Sequence, residues 1–112
     1  MWMMTRHGFY SIVQKDDGIH VRARERQDIE NLKAGVGLNI PTLETPSNDY
    51  RYRLVVHPED LYAIMWWLAS NVDYSNFKAK VDATPDQRRK PYHEVWSVLA
   101  RALGAYGKEG SR

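Results

Sequence analysis

The dipeptide Asp17-Gly18 joins two stretches of β-type sequence, and no other feature limits the fold as much. Asp-Gly is among the strongest short hairpin signals, because glycine accepts the positive φ that tight turns demand. Before it, Gly8-Phe9-Tyr10-Ser11-Ile12-Val13-Gln14 is rich in aromatic and β-branched residues and reads as a strand. After it, Ile19-His20-Val21-Arg22-Ala23-Arg24 alternates apolar with basic, the period of a half-buried strand. A loop of two or four residues gives the same cross-strand parity; only a bulged three-residue loop would break it. Tyr10 and Ile12 then share a face with Ile19, Val21 and Ala23. Phe9, Ser11 and Val13 share the other with His20, Arg22 and Arg24.

The apolar side of such a hairpin needs a second layer. Two segments can supply it. A short helix is expected from about Arg26 to Ala34, with Ile29 and Leu32 inward and Gly35 as its left-handed cap. A longer one starts at His57-Pro58, because proline is tolerated at the first helical position and pushes its predecessor out of the helical region. Glu59 and Asp60 complement the helix dipole in the first turn. Leu61, Ile64, Met65, Leu68 and Val72 fall on one face. Tyr62 and Trp66 form a second apolar stripe and Trp67 lies on the opposite flank. With no charge between Asp60 and Asp73, this helix is expected to be covered on more than one side.

Tyr50-Arg51-Tyr52-Arg53-Leu54-Val55-Val56 is a further strand, preceded by the turn Pro46-Ser47-Asn48-Asp49. Leu38 to Thr45 is open as a third strand, restricted by Pro41 to an edge or a bulge. Residues 24–29 and 56–61 lead into their helices alike, an echo at an offset of 32 residues. The expected architecture is a two-layer α+β domain: an antiparallel sheet of three or four strands in ββαββα-like order, with helices on one face. Asp73 to Val81 adds a helical turn or two with Asp73 as cap, and Thr84-Pro85-Asp86-Gln87 matches a capping box. A C-terminal helix from Tyr92 carries Tyr92, Val95, Trp96, Leu99 and Leu103 on one stripe, placed to cover Tyr62 and Trp66. The reading is one domain over 1–104, with 105–112 a mobile tail.

Composition removes several function classes. The 112 residues include no cysteine, which excludes disulfides, thiolate catalysis and Cys-based zinc sites. The apolar run after Asp60 is shorter than the ~20 residues that span a bilayer, so a cytoplasmic protein without membrane contact is expected. Sixteen Lys and Arg against fourteen Asp and Glu leave a net charge of +2. Binding of nucleic acid by bulk charge is thereby excluded, and any anion site must come from local clustering.

Strand parity supplies such a cluster. His20, Arg22 and Arg24 from one hairpin, with Arg51 and Arg53 from the other and Phe9 nearby, are candidate ligand-binding residues. Arginine forks suit phosphates and carboxylates, and aromatic rings stack on bases. The competing structural reading is the solvated outer face of a one-sided sheet. Tyr62, Trp66 and Trp67 are candidate interface residues for a partner or a homodimer, against the alternative that they are core. His7, His20, His57 and His93 lack metal-site spacing, and no phosphate loop or nucleophile elbow is present. No cofactor and no catalytic residue is expected.

Four blocks recur together in order: Gly8-Phe9-Tyr10-Ser11-Ile12-Val13-Gln14, Asp49-Tyr50-Arg51-Tyr52-Arg53, Asp73-Tyr74-Ser75-Asn76-Phe77-Lys78 and Tyr92-His93-Glu94-Val95-Trp96. As a set they resemble a family of small bacterial and phage proteins with no established activity. The resemblance implies a bacterial or phage, intracellular setting and transfers no catalytic residue. If the blocks mark a site, its members are Arg22, Asp49, Tyr50, Arg53, Asp73, Asn76, Lys78 and His93. The functional expectation is a non-enzymatic binding module for a protein partner or an anionic ligand such as a nucleotide or nucleic acid. The alternatives are a small phosphate-substrate enzyme with His20 or His93 as general base, and a phage-type inhibitor of a host protein.

Overall fold

A computed structural model describes residues 1–83 and 87–104. Most of the expected Thr84-Pro85-Asp86-Gln87 capping box and the expected tail at 105–112 lie outside the described residues. The chain forms two compact units, Met1–Asp73 and a second from Tyr74 onward.

The first unit is α+β. Its strands are β1 (Trp2–Thr5), β2 (Gly8–Lys15), β3 (Gly18–Ala23), β4 (Leu43–Glu44) and β5 (Tyr52–Val56), with helices α1 (Arg26–Val36) and α2 (Pro58–Ser70). All pairings are antiparallel and the sheet order is β1-β2-β3-β5-β4. The sheet has five strands, one more than the upper expectation. The additional strand is β1, which lacks any alternation of polarity yet pairs along its whole length with β2. β4 is the strand that Pro41 restricted: two exposed residues at the sheet edge.

Asp16-Asp17 form the two-residue β2–β3 loop, with Lys15 opposite Gly18 and Ile12 opposite Val21. Gly18 takes φ 133°, which explains the glycine there. Parity holds. Tyr10, Ile12, Val21, Ala23, Leu54 and Val56 meet Ile29 and Leu32 of α1 and Ile64 and Leu68 of α2 in one core. Each fully buried Leu or Ile contributes on the order of 1.5–3 kcal/mol, so this layer holds the sheet. Both helices of the first unit thus pack on one face of the sheet.

Both helices depart from expectation in detail. The left-handed residue ending α1 is Gly37 (φ 82°), whose N–H bonds Lys33 O. Gly35 lies inside the helix, where a Cβ would enter the ring of Trp67. Trp67 is half-buried against this gap, its ring 4.4 Å from that of His7. On α2, Ile64 and Leu68 are buried, but Tyr62 and Trp66 are 69% and 71% exposed. Cover on more than one side is therefore not found within the first unit. Val72 lies past the helix end and is exposed.

The second unit contains α3 (Phe77–Asp82) and α4 (Arg89–Leu103). Asn76, not Asp73, caps α3, its Oδ1 accepting from Ala79 N at 2.9 Å. Asp73 instead pairs with Arg6 at 2.9 Å within the first unit. Phe77 stacks on Tyr92 at 5.9 Å, and Lys78 Nζ lies 3.7 Å above the Trp96 ring. α4 buries Tyr92 and Ala100, while Val95, Leu99 and Leu103 of the expected inward stripe are exposed. The small Ala100 marks the close-packed side that apolar periodicity alone misplaces. Among the described residues no helix is long and apolar enough to cross a membrane.

Candidate anion-binding face

Strand register sets one row of side chains across the sheet face turned away from α1 and α2: Trp2 opposite Ser11, Ser11 opposite Arg22, Arg22 opposite Arg53, and Arg53 opposite Leu43. Two arginines directly opposite each other repel. Arg53 is moreover 6% exposed, and a buried charge needs a partner. Among the described residues these guanidiniums have only neutral hydrogen-bond partners. Arg53 donates from Nη2 to Tyr50 O at 3.1 Å and from Nη1 to His20 Nδ1 at 3.1 Å. Arg22 donates from Nη2 to Ser11 Oγ at 2.7 Å. The Nε atoms of both are buried with no hydrogen-bond partner among the described residues. Burial first, and then the charge of Arg22, pull the Arg53 guanidinium below its ordinary value, with Asp17 acting the other way. The cluster is short of negative charge.

His20 stands behind it, almost fully buried. An arginine can only donate, so His20 Nδ1 accepts from Arg53, and Nε2 carries the proton shared with Asp17 Oδ1 at 2.7 Å. That hydrogen bond is the main cause holding the Asp17 carboxyl below its usual range. Both ring nitrogens are thus committed, and His20 positions Arg53.

The β4–β5 loop closes the other side. The Tyr50 ring is buried, with Arg22 Cζ and Arg24 Cζ over it at 4.6 and 4.5 Å. Cation–π contacts of this kind hold a guanidinium in place without neutralising it. Arg24 Nη1 also reaches Asp49 O at 3.5 Å. Between loop and sheet lies an open concavity of about 550 Å³, lined by Arg22, Arg24 and Arg53 with Trp2, Lys15 and Tyr50. Ser47, Asn48 and Asp49 complete its rim. Arg51 lines a smaller concavity of about 370 Å³ that shares Arg24, Asn48 and Asp49.

Of the six ligand candidates, Arg22, Arg24 and Arg53 line the main concavity, Arg51 lines its neighbour, and His20 and Phe9 line neither. Phe9 is half-buried beside Trp2, ring centroids 6.4 Å apart. Sequence reasoning missed Trp2, Lys15 and the Ser11 hydroxyl. A strand at Trp2–Thr5 would have put Trp2 in the row by parity alone.

Comparison with known protein families, with curated proteins and with solved structures returned no match. The chemistry of the face therefore rests on its own geometry. The histidines offer little beyond it. His93 Nε2 lies 2.8 Å from Asp82 Oδ1 without hydrogen-bond alignment, in the second unit. Of the remaining block residues, Asn76 and Asp73 are accounted for by the cap and ion pair above. Among the described residues no three His, Asp or Glu gather to hold a metal.

Proposed function

We propose that the chain is a binding module whose ligand carries a phosphate or carboxylate, received by Arg22 and Arg53 on the sheet face turned away from α1 and α2. The observation that carries this reading is the register pairing of two arginines, one of them almost fully buried, with no carboxylate on either among the described residues. Opposed like charges at the surface disperse by pointing apart; here Ser11, Tyr50 and His20 hold both heads toward one concavity. Guanidinium forks match oxyanions with two parallel bonds. A general-base role for His20 is disfavoured because neither ring nitrogen is left to accept a proton from a ligand. The setting is proposed as intracellular, where phosphate-bearing ligands are abundant.

Inorganic phosphate tests the reading. Titrated against chloride at matched ionic strength, it is expected to raise the melting temperature, since a ligand bound only to the folded state stabilises it by mass action. Arg22→Gln should remove the shift while the variant stays folded, because Arg22 is only half-buried. Arg53 is the poorer choice, since its loss also releases Tyr50 O and His20. A shift that survives Arg22→Gln, or no shift at all, would sink the proposal.

A further inference from the structure

Three features of the concavity point past a bare anion. Its volume of about 550 Å³ falls in the range of sites for whole small molecules, and a phosphate group fills only one corner. Asp49 sits on the rim of an otherwise cationic lining. A carboxylate there repels a simple polyanion but accepts hydrogen bonds from sugar hydroxyls, a pairing seen where acidic side chains hold ribose. Trp2 lines the same space and is 75% exposed. It stands two strands from Arg22 in a single row, about 10 Å at the backbone, with Ser11 between them holding Arg22. Phe9 lies beside the indole, ring centroids 6.4 Å apart and tilted by 56°. An exposed indole that lines one concavity with three guanidiniums is a platform for a flat ring that carries negative charge on its other end.

Building on the anion-site reading, we propose that the ligand unit is a nucleoside phosphate. Its base stacks on Trp2, its sugar hydroxyls meet Asp49, and its phosphate sits between Arg22 and Arg53. The unit is either a free nucleotide or one residue of a single strand, since both present the same three groups. The low net charge fits recognition of one unit rather than a long backbone.

Calorimetric titration of the full chain with inorganic phosphate, ribose 5-phosphate, adenosine monophosphate and a ten-residue adenine oligonucleotide separates the possibilities. Stacking on an aromatic side chain is worth about 1–3 kcal/mol per base. Adenosine monophosphate should therefore bind on the order of 5- to 150-fold more tightly than ribose 5-phosphate. Trp2→Ala should erase that ratio and leave phosphate binding alone, and Trp2→Phe should restore part of it. Trp66→Ala, exposed on the opposite layer, should change neither. As a second readout, the nucleotide should quench tryptophan emission in the native chain and not in Trp2→Phe. Oligonucleotide binding tighter than the monophosphate, also lost in Trp2→Ala, assigns the unit to a strand; the reverse order assigns it to a free nucleotide. Equal affinity for adenosine monophosphate and ribose 5-phosphate, or a preference untouched by Trp2→Ala, overturns this inference while the anion site stands. If phosphate itself does not bind, both readings fall together.

Discussion

Asp17 is the outermost member of the Asp17–His20–Arg53 relay, and its charge is the one that pH can remove. Its carboxyl ionises below the ordinary value of 3.8 in the folded chain, chiefly because His20 donates to it. A group with a depressed folded value favours the folded state when ionised. Its contribution is complete above the ordinary carboxylate range and disappears as pH falls through 3.8 toward the folded value. In urea unfolding at successive pH values, the native chain should therefore exceed Asp17→Asn in stability at pH 7, with the gap narrowing as pH falls below 3.8. A gap that stays constant would assign the difference to side-chain packing instead. At this scale the sequence was informative wherever parity decided the outcome. Arg22, Arg53 and His20 fell on one face because a side-chain period of two leaves no other choice. Tyr50 lies outside β5, whose parity would set it with Tyr52 and Leu54; its packing against two guanidiniums of the other face depends on a loop conformation that periodicity does not encode.

Among the elements, α1 and α2 owe their close approach to Gly35. Alanine favours a helix interior by about 1 kcal/mol over glycine, so Gly35→Ala would be stabilising on helix propensity alone. A Cβ at that position enters the Trp67 ring, and overpacking typically costs about 1–3 kcal/mol. Gly35→Ala should accordingly lower the urea midpoint and alter the near-ultraviolet circular dichroism of Trp67; an unchanged or higher midpoint would show that the ring moves freely. The sequence offered two glycines near the helix end, and a cap was assigned to the one that instead serves packing. Nothing local separates the roles, because the neighbour that decides is about thirty residues away on α2. β1 was hidden for a related reason. Trp2-Met3-Met4-Thr5 is apolar on both sides, and only its pairing with β2 identifies it. On α4, apolar spacing pointed to Tyr92, Val95, Trp96, Leu99 and Leu103; of these only Tyr92 is buried, and the other buried position is Ala100. A residue with little side chain can lie nearest a neighbour while contributing almost nothing to an apolar stripe.

For the molecule as a whole, the hairpin–helix echo in the sequence corresponds to two units of the sheet: β2–β3 with α1, and β4–β5 with α2. Their helices begin 32 residues apart, at Arg26 and Pro58. The hairpin-then-helix order from β2 onward was legible because turn signals and periodicity agreed there, even where a cap was misplaced. The division near Asp73 was not, since Asp73-Tyr74-Ser75-Asn76 contains no proline or glycine to mark a linker. Every residue of the sheet-and-helix core lies at or before Leu68. A chain ending at Asp73 should thus fold, keep its far-ultraviolet circular dichroism and retain the phosphate response; a molten fragment would show that the later helices are needed for the core. The row of arginines has one more consequence. Arg22 belongs to a local hairpin, but Arg53 and the histidine it bonds are 33 residues apart, and they meet only when β5 docks on β3. Closures over such separations are slow compared with hairpin formation. During refolding the two guanidiniums are therefore strangers until the last long-range strand arrives. The moment they face one another marks the completion of the sheet.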